Sequence, residues 1–256
     1  MVASRGATHV LIVPTMIEML LDADRFTLPG LRVLQYGAAS IHPDTLGRAL
    51  EAMPGVRFVN IFGQTEGSPI TCLTPDDHVS AAGGRADLLH SVGRAAPGVE
   101  LRIEHPDDTG VGEVVARAEH LFKPDADGWL HTGDLGRVDA EGYLYLSGRR
   151  GDKIIRGGEN VYPMEVEHVI AQHPDVAEVC VFGVADRKWG EIVAAAVVPA
   201  DSSSTLDTEA LRAFARERLA SFKVPVEWEQ VEALPRNTTG KVLRRELIAR
   251  RTLTHP

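Results

Sequence analysis

The chain has 256 residues, 44% of them hydrophobic and 25% charged, and a formal net charge of −9 at pH 7. These fractions are typical of a globular protein with one or two domains, and the acidic balance argues against a general nucleic-acid-binding protein. Cys72 and Cys180 lack metal-ligand spacing, and no segment has the pattern of a signal peptide or the length to cross a membrane. We therefore expect reduced thiols in a cytoplasmic protein.

Apolar runs alternate with helical patterns over residues 1–90. Three runs are typical of buried strands: HVLIVP (9–14), LRVLQYG (31–37) and VRFVNIFG (56–63). Of the two helical patterns between them, one has Thr15 as a candidate N-cap and the other has Pro43 at its start. This alternation predicts part of a parallel sheet with right-handed crossovers.

Two polar, glycine-rich segments follow the second and third of these strands. They are GAAS (37–40) and GQTEGSP (63–69). In open parallel sheets, ligands bind beyond the carboxyl ends of the strands. We therefore expect these two segments to be loops that form a binding site.

The pattern changes after residue 90. Short alternating segments separated by glycine, proline and aspartate predict a small antiparallel, barrel-like unit over residues 91–149. After Arg150, helices and strands alternate again in a segment of the size of an independent α+β domain. We therefore predict a mixed α/β and α+β protein with domains at 1–150 and 151–256.

Near the C-terminus, RNTTGKVLRREL (236–247) places Lys241 after a Thr-Thr-Gly turn. A phosphate-binding loop of the Gly-x-x-x-x-Gly-Lys-Ser/Thr type is excluded, because Pro235 and Val242 occupy the positions of its first glycine and its hydroxyl residue. From these residues alone, Lys241 is either a binding residue or the start of a solvated helix.

Four motifs together resemble the adenylate-forming superfamily, and most of all its acyl-CoA synthetases. In chain order they are NIFGQTEG, DGWLHTGDLG, GYLYLSGRRGDKIIRGGENVYP and PRNTTGKVLRREL. The resemblance implies a ligase that uses Mg²⁺ and ATP to convert a carboxylic acid to acyl-AMP and then transfers the acyl group to coenzyme A. It implies no nucleic-acid partner.

The resemblance also implies roles for individual residues. Lys241 would contact the carboxylate and the α-phosphate, Thr65 would bind the α-phosphate, and Glu66 would bind Mg²⁺. The positions implied for the adenine and the ribose of ATP or AMP are Gly37, Ala38, Ala39, Phe62, Gly63, Asp134 and Arg149. The residues alone favour an ordinary turn for the glycine segment and a solvated carboxylate for Glu66, so both binding roles depend on the resemblance.

The C-terminal domain would rotate between the two half-reactions about Gly151. Gly157 and Gly158 would then leave room for the pantetheine arm of coenzyme A. Lys153 and Arg156 remain open between two interpretations, as coenzyme A phosphate ligands or as exposed residues of a turn.

In the family, a phosphate loop and about half of the large domain precede the position of Met1. The resemblance therefore implies the C-terminal half of such an enzyme, inactive alone, with a separate N-terminal half or a homo-oligomer as a further expectation. Two other functions stay open: a ligase that delivers acyl groups to a carrier protein, and a non-catalytic AMP-binding fragment. The sequence does not identify the carboxylic acid.

Overall fold

The computed structural model describes residues 6–39, 41–122, 124–237 and 240–254. The chain divides between Leu146 and Ser147 into two compact units, here called unit 1 and unit 2. Parallel and antiparallel sheets with helices packed on them confirm the predicted α/β and α+β class.

The first sheet of unit 1 has five strands in the order β1-β2-β3-β4-β5. The strands are β1 His9–Ile12, β2 Val33–Gly37, β3 Arg57–Gln64, β4 Gly67–Leu73 and β5 Arg94–Ala95. β1, β2 and β3 are parallel, as predicted, with Tyr36 opposite Ile12 on one side and Asn60 on the other. β4 and β5 continue the sheet in antiparallel directions.

Three helices accompany this sheet, and each has a proline in its first turn. They are α1 Pro14–Asp22, α2 Pro43–Ala52 and α3 Pro75–Ala82. The predicted N-cap Thr15 is wrong, because Val13 holds the cap position and Thr15 lies inside the first turn. The fixed φ of Pro14 suits the first helical position and starts the helix there. The core between helices and sheet includes Ile17, Leu34, Leu46 and Phe58, all nearly fully buried.

The segment GQTEGSP, predicted as a loop, is a tight hairpin. Gln64 pairs with Gly67 across the two turn residues Thr65 and Glu66. The prediction missed β4 because the strand begins with glycine, serine and proline, which normally indicate loops.

The second sheet is antiparallel and open, in the order β6-β7-β8-β9. The strands are β6 Glu100–Glu104, β7 Gly112–Arg117, β8 Leu130–Val138 and β9 Leu144–Arg149. The predicted barrel-like closure is wrong for the described residues, since four strands are fewer than ordinary barrels use. The segment around Arg94, assigned to this unit from the sequence, pairs with β4 in the first sheet instead.

Unit 2 is built on a sheet in the order β11-β10-β13-β12, with β14 parallel to β13. Its strands are β10 Ile154–Arg156, β11 Glu159–Val161, β12 Val176–Asp186, β13 Gly190–Pro199 and β14 Glu227–Gln230. Its helices are α4 Pro163–Ile170, α5 Thr208–Arg216 and α6 Arg244–Thr254. Within the described ranges, no helix combines the length and apolar character needed to cross a membrane.

A buried carboxylate anchors α3. Asp77, 4% exposed, accepts hydrogen bonds from the Thr74 backbone N–H at 2.8 Å, the Thr74 hydroxyl at 2.7 Å and the Tyr143 hydroxyl at 2.6 Å. The Arg94 guanidinium lies 3.5 Å away. Burial acts to raise the pKa of Asp77, but these hydrogen bonds and the Arg94 charge outweigh it and hold the pKa below its usual value. Asp77 thereby joins α3 to β5 and to the turn before β9.

We predict that Asp77→Asn lowers the free energy of unfolding at pH 7 by about 1–3 kcal/mol, because an amide cannot accept all these hydrogen bonds. A depressed folded-state pKa stabilises the protein above the unfolded-state pKa of about 4, and this contribution is lost as pH falls through the folded value. The gap between wild type and variant should therefore shrink below pH 4. Urea unfolding at each pH measures this difference in unfolding free energy. The signal is the fluorescence of Trp129, with Trp189 and Trp228 replaced by Phe so that they do not contribute.

Tyr143→Phe is the matched control, because it removes one hydrogen bond from Asp77 and leaves the carboxylate in place. Tyr143→Phe should lower the free energy of unfolding by about 1 kcal/mol. A gap between Asp77→Asn and wild type that stays constant from pH 7 to pH 3 would contradict the assignment.

Candidate functional site

The carboxyl ends of β2 and β3 lie side by side. Gly37, the last residue of β2, is opposite Ile61, and β3 continues to Gln64. A Cβ atom on Gly37 would lie 2.2 Å from the Ile61 carbonyl oxygen. Glycine is therefore required for the two backbones to approach this closely. Ala38 and Ala39 follow β2 at a level where β3 still continues for three residues, to Gln64.

Ala38 has a strained backbone. Its φ is +68°, in the left-handed region, which costs a residue with a Cβ about 1–2 kcal/mol. Its side chain is exposed, so packing of the methyl group does not offset this cost. Residues held in such conformations cluster at ligand-binding sites, where the surrounding structure fixes them. Two other non-glycine residues among those described, Asp24 and His105, also have a left-handed φ, so the conformation of Ala38 supports a binding site only together with its place at a strand end.

Two buried side chains tie the end of β2 to α3. The Tyr36 hydroxyl lies 2.9 Å from His78 Nε2, and His78 Nδ1 lies 2.7 Å from the Thr74 carbonyl oxygen. Because a carbonyl only accepts, Nδ1 carries the proton and Nε2 accepts the hydroxyl hydrogen. Burial lowers the pKa of His78 and raises that of Tyr36, so both groups are neutral at pH 7.

The β3–β4 hairpin carries Thr65 and Glu66 at its tip. Thr65 is exposed and Glu66 is half-buried. Backbone oxygens hold the hairpin in place: the Glu66 carbonyl accepts from the Phe122 N–H at 2.6 Å, and the Pro69 carbonyl lies 3.0 Å from His120 Nε2. The segment after β7 therefore positions the tip through its backbone.

Phe62 and Gly63 precede this tip in β3. Phe62 is half-buried and packs on the cluster that contains Ile70 and Leu130. A Cβ on Gly63 would lie 2.8 Å from the Gly67 carbonyl oxygen, so the hairpin itself requires glycine there. Their predicted contacts with adenine stay predictions.

Asp134 lies in an irregular part of β8. His131 is opposite Val115 and Leu135 is opposite Glu113, so the residues between them bulge from the strand. The Thr132 hydroxyl holds the bulge, since it donates to the Val114 carbonyl at 2.7 Å and accepts from the Asp134 N–H at 3.1 Å. Bulges redirect side chains and are common beside active sites. Asp134 itself is 8% exposed.

Arg149 is the last residue of β9, which neighbours β8 in the sheet. Its side chain is exposed. It caps a short 3-10 turn, Arg150–Asp152, which contains Gly151. A Cβ on Gly151 would meet no atom within 4 Å, and its φ is not left-handed, so this conformation does not require glycine there.

Lys241 belongs to a loop closed by backbone hydrogen bonds. The Asn237 N–H donates to the Lys241 carbonyl at 3.0 Å, and the Lys241 N–H donates to Asn237 Oδ1 at 2.9 Å. The Lys241 side chain is exposed. The helix that the sequence offered as an alternative begins only at Arg244. Thr238 and Thr239 of the predicted turn lie outside the described residues.

Gly157 and Gly158 form the two-residue turn of the β10–β11 hairpin. Their φ values of +61° and +91° fit a type I′ turn, which favours glycine at both positions. A Cβ on Gly157 would lie 2.9 Å from the Trp189 ring. Trp189 is 43% exposed, with Lys188 Nζ 4.7 Å from its ring centroid. In the sequence, Trp189 is a single aromatic residue among charged ones, and no pattern there indicates a role for it.

The open question on Lys153 and Arg156 remains. Lys153 is half-buried. Arg156 donates from Nη1 to the Phe222 carbonyl at 2.8 Å, and its Cζ lies 5.9 Å from the Trp189 ring centroid. Local packing thus explains the position of Arg156 and does not exclude a ligand contact.

The structure therefore brings together some of the predicted residues. The segment Gly37–Ala39 and the turn Thr65–Glu66 share one end of the first sheet, and Asp134 and Arg149 lie on neighbouring strands of the second. Lys241 and the Gly157–Gly158 turn occupy different loops of unit 2. No group of three or more histidine, cysteine or acidic residues in the described ranges forms a metal cluster.

Two family profiles match this chain. The AMP-binding enzyme family matches residues 1–124, and the AMP-binding enzyme C-terminal domain matches residues 165–241. The chain belongs to the adenylate-forming superfamily. Its motif residues Thr65 and Glu66 fall within the first match, and Lys241 is the last residue of the second.

Curated relatives in this superfamily are ligases that act on different carboxylic acids. An indoleacetate–CoA ligase of Aromatoleum aromaticum is 37% identical over 96% of this chain and 51% of its own length. A fatty acid–[acyl-carrier-protein] ligase of Streptomyces coeruleorubidus is 39% identical over 94% of this chain and 49% of its own length. The chain thus spans about half the length of the curated relatives it matches.

A solved superfamily structure matches the fold. It is the o-succinylbenzoate coenzyme A synthetase of Bacillus subtilis in complex with ATP and magnesium ion, with a TM-score of 0.77 and 31% identity. The match covers 95% of this chain and 52% of that one.

We predict opposite tolerances to substitution at Gly37 and Ala38, two adjacent residues at the end of β2. Gly37→Ala should lower the free energy of unfolding by about 1–3 kcal/mol, because the new methyl group meets a backbone carbonyl that cannot move away. Ala38→Gly should change it by less than about 1 kcal/mol, since relief of the left-handed strain offsets the greater freedom of glycine in the unfolded chain. Urea denaturation measures both. A tolerated Gly37→Ala would contradict the close approach of β2 and β3.

Proposed function

We propose that this chain provides the adenine, ribose and α-phosphate side of an acyl-adenylating site in an AMP-forming acid–thiol ligase, with coenzyme A as acceptor. One observation carries the proposal. The left-handed, exposed Ala38 follows β2, and the oxygen donors Thr65, which is exposed, and Glu66, which is half-buried, follow β3 at the same end of these parallel strands. This is where open α/β sheets bind their ligands.

The donor set at the hairpin tip fits Mg²⁺. Mg²⁺ usually takes one or two protein carboxylates and completes its octahedron with water and substrate phosphates. Glu66 offers one half-buried carboxylate next to the Thr65 hydroxyl, and a multidentate protein cage is neither needed nor found in the described ranges. When bound, the ion would neutralise phosphate charge.

In the first half-reaction, a carboxylate oxygen of the acid attacks the α-phosphorus of ATP. The bond to the pyrophosphate oxygen breaks and acyl-AMP forms. Both reactants are anions, so positive charge at the reacting centre lowers the barrier. The exposed ammonium of Lys241 supplies that charge, and Thr65 donates a hydrogen bond to an α-phosphate oxygen. Asp134 and Arg149 bind the ribose hydroxyls, the first as acceptor and the second as donor.

In the second half-reaction, the thiol of coenzyme A loses its proton and the sulfur attacks the acyl carbonyl carbon. AMP leaves with the electron pair of the carbon–oxygen bond. The Gly157–Gly158 turn and Trp189 support a role in holding the acceptor, because a side-chain-free turn beside an exposed indole and the Lys188 cation suits a narrow arm ending in phosphates. The hinge role of Gly151 is consistent with a glycine that the described conformation does not need.

A carrier protein is the second candidate acceptor, favoured by the 39% identity to a fatty acid–[acyl-carrier-protein] ligase. Free coenzyme A and a phosphopantetheinylated carrier protein carry the same reactive arm. Comparison of the two acceptors at equal concentration, with acyl-AMP supplied, separates the candidates.

The direct test of the proposed function is carboxylate-dependent exchange of labelled pyrophosphate into ATP by this chain combined with the remaining half of the proposed ligase, since the chain alone is expected to be inactive. Suitable acids are indoleacetate, a fatty acid and o-succinylbenzoate, which the names of the relatives suggest. Exchange that requires both the acid and Mg²⁺ supports adenylation. Failure of exchange with every acid, together with no AMP binding by calorimetry, would refute it.

We predict that Lys241→Ala in the complete enzyme reduces carboxylate-dependent pyrophosphate exchange by about 10²- to 10³-fold, the usual cost of losing one preorganised electrostatic donor. Thioester formation from supplied acyl-AMP should change little, because no second anion then approaches the phosphate. Arg245→Ala, at another exposed cation of the same basic segment, is the control and should leave both rates intact. Equal losses in both half-reactions would exclude the assigned role of Lys241.

We predict that Asp134→Asn weakens AMP binding by about 1.5–3 kcal/mol, the scale of a hydrogen bond to a charged group. Isothermal calorimetry measures the affinity, and Asp108→Asn, at an exposed turn of the same sheet, is the control. ATP should lose the same amount, since both nucleotides carry the ribose. Wild-type affinity in a folded Asp134 variant would leave the bulge a purely structural feature.

A further inference from the structure

A half-buried arginine joins three elements of unit 2 immediately after the Lys241 loop. Arg244, the first residue of α6, has a side-chain exposure of 19%. Its Nε donates to the Val181 carbonyl of β12 at 2.7 Å, its Nη1 donates to Asp152 at 2.6 Å and its Nη2 donates to Glu167 of α4 at 2.7 Å. Each side of the guanidinium is thus bound to a different element.

Two of these partners are themselves joined. Glu167 Oε1 accepts from the Val181 N–H at 2.8 Å as well as from Arg244. Arg244, Glu167 and the Val181 backbone therefore form a closed ring of hydrogen bonds between α4, β12 and α6. Burial acts to lower the pKa of Arg244, but the charges of Glu167 and Asp152 outweigh it, so the guanidinium stays charged. A ring of this kind leaves its members little freedom.

The Lys241 loop is fixed directly to Arg244. The Leu243 N–H donates to the Pro235 carbonyl at 2.7 Å, and Arg236 forms a β-bridge with Val242. On the other side of the loop, Arg236 pairs with Glu178 of β12. Both sides of the loop are therefore tied to β12, one through Arg236 and the other through Arg244.

Asp152 connects this assembly to the turn that follows Arg149. It is the last residue of the 3-10 turn Arg150–Asp152 and comes directly after Gly151. Its carboxylate is a partner of Arg244 on the far side of the guanidinium from Val181. Asp152 and the Lys241 loop, which are distant in sequence, are therefore joined through Arg244.

We propose that Arg244 is a positioning residue for Lys241, which holds the Lys241 loop in a fixed position relative to Asp152 so that the two move as one body. The role of Lys241 in adenylation, on which this inference rests, is that of the proposed function. The inference adds that adenylation requires the position of Lys241 as well as its charge. That position depends on the ion pair between Arg244 and Asp152, which are distant in sequence. A displacement of about 1 Å at a reacting group can cost up to about 10²-fold in rate.

The test combines Arg244→Gln, Asp152→Asn and the double variant, with Arg251→Gln as the matched control. Arg251 lies on the same helix, is 20% exposed and pairs with Glu227 at 2.7 Å, away from the loop. Asp152→Asn leaves the Glu167 and Val181 bonds of Arg244 in place, so it tests the link even if Arg244→Gln fails to fold.

We expect Asp152→Asn and Arg244→Gln each to lower the adenylation kcat at least about tenfold, with KM for ATP and acyl transfer from supplied acyl-AMP changed less than about twofold. The double variant should be no slower than Arg244→Gln, because both changes break one link. Arg251→Gln should keep wild-type adenylation. Equal losses in both half-reactions, additive effects, or a loss equal to that of Arg251→Gln would overturn the proposal.

Amide hydrogen exchange separates this inference from the proposed function. Faster exchange at both 150–153 and 236–243 in Asp152→Asn, but not in Arg251→Gln, supports the mechanical link even if the wild type adenylates no acid. Wild-type exchange at 236–243 in Asp152→Asn would overturn the link whatever the enzyme activity.

Discussion

The contact between the Gly37 backbone and the Ile61 carbonyl is the constraint on which the candidate site depends. A Cβ atom on residue 37 would lie only 2.2 Å from the Ile61 carbonyl oxygen, so β2 and β3 pair this closely only with glycine there. In the parallel register Gly37 pairs with Ile61, three residues before Gln64, the last residue of β3. From that point β3 continues into the hairpin and carries Thr65 and Glu66 past the edge of the sheet. A small steric fact in the backbone thus determines which side chains share the site.

Hydrogen bonds between polar side chains fix the position of the end of β2. Tyr36, next to Gly37, is bonded to His78, and Asp77 of the same helix collects hydrogen bonds from Thr74 and Tyr143. Each of these groups is buried and fully partnered, which favours one arrangement over its alternatives. In unit 2 the same design recurs at Arg244, whose three bonds fix the loop of Lys241. In both units, exposed candidate residues are supported by buried or half-buried polar residues.

The sequence predicted the fold class and the parallel strands β1 to β3, because apolar runs and helical spacing directly reflect burial. It missed β4, since Pro69 and its neighbours normally indicate a loop, and the unit that it described as barrel-like is an open, four-stranded antiparallel sheet. The motifs predicted which residues to examine, but not the left-handed Ala38 or the bulge at Asp134. Backbone angles and strand irregularities depend on tertiary contacts, and so do the partners of Arg244, which are distant in sequence.

The most direct test of the account is a ¹⁵N NMR titration of the protein with AMP, because it reports position and not only affinity. The account predicts saturable shifts concentrated at the amides of Ala38, Ala39, Thr65 and Glu66, with further shifts at the Asp134 bulge. Amides of α5, in the α+β unit, should remain unchanged. Saturable binding whose shifts avoid both Ala38 and the Thr65–Glu66 turn would contradict the claim that these strand ends form the nucleotide site.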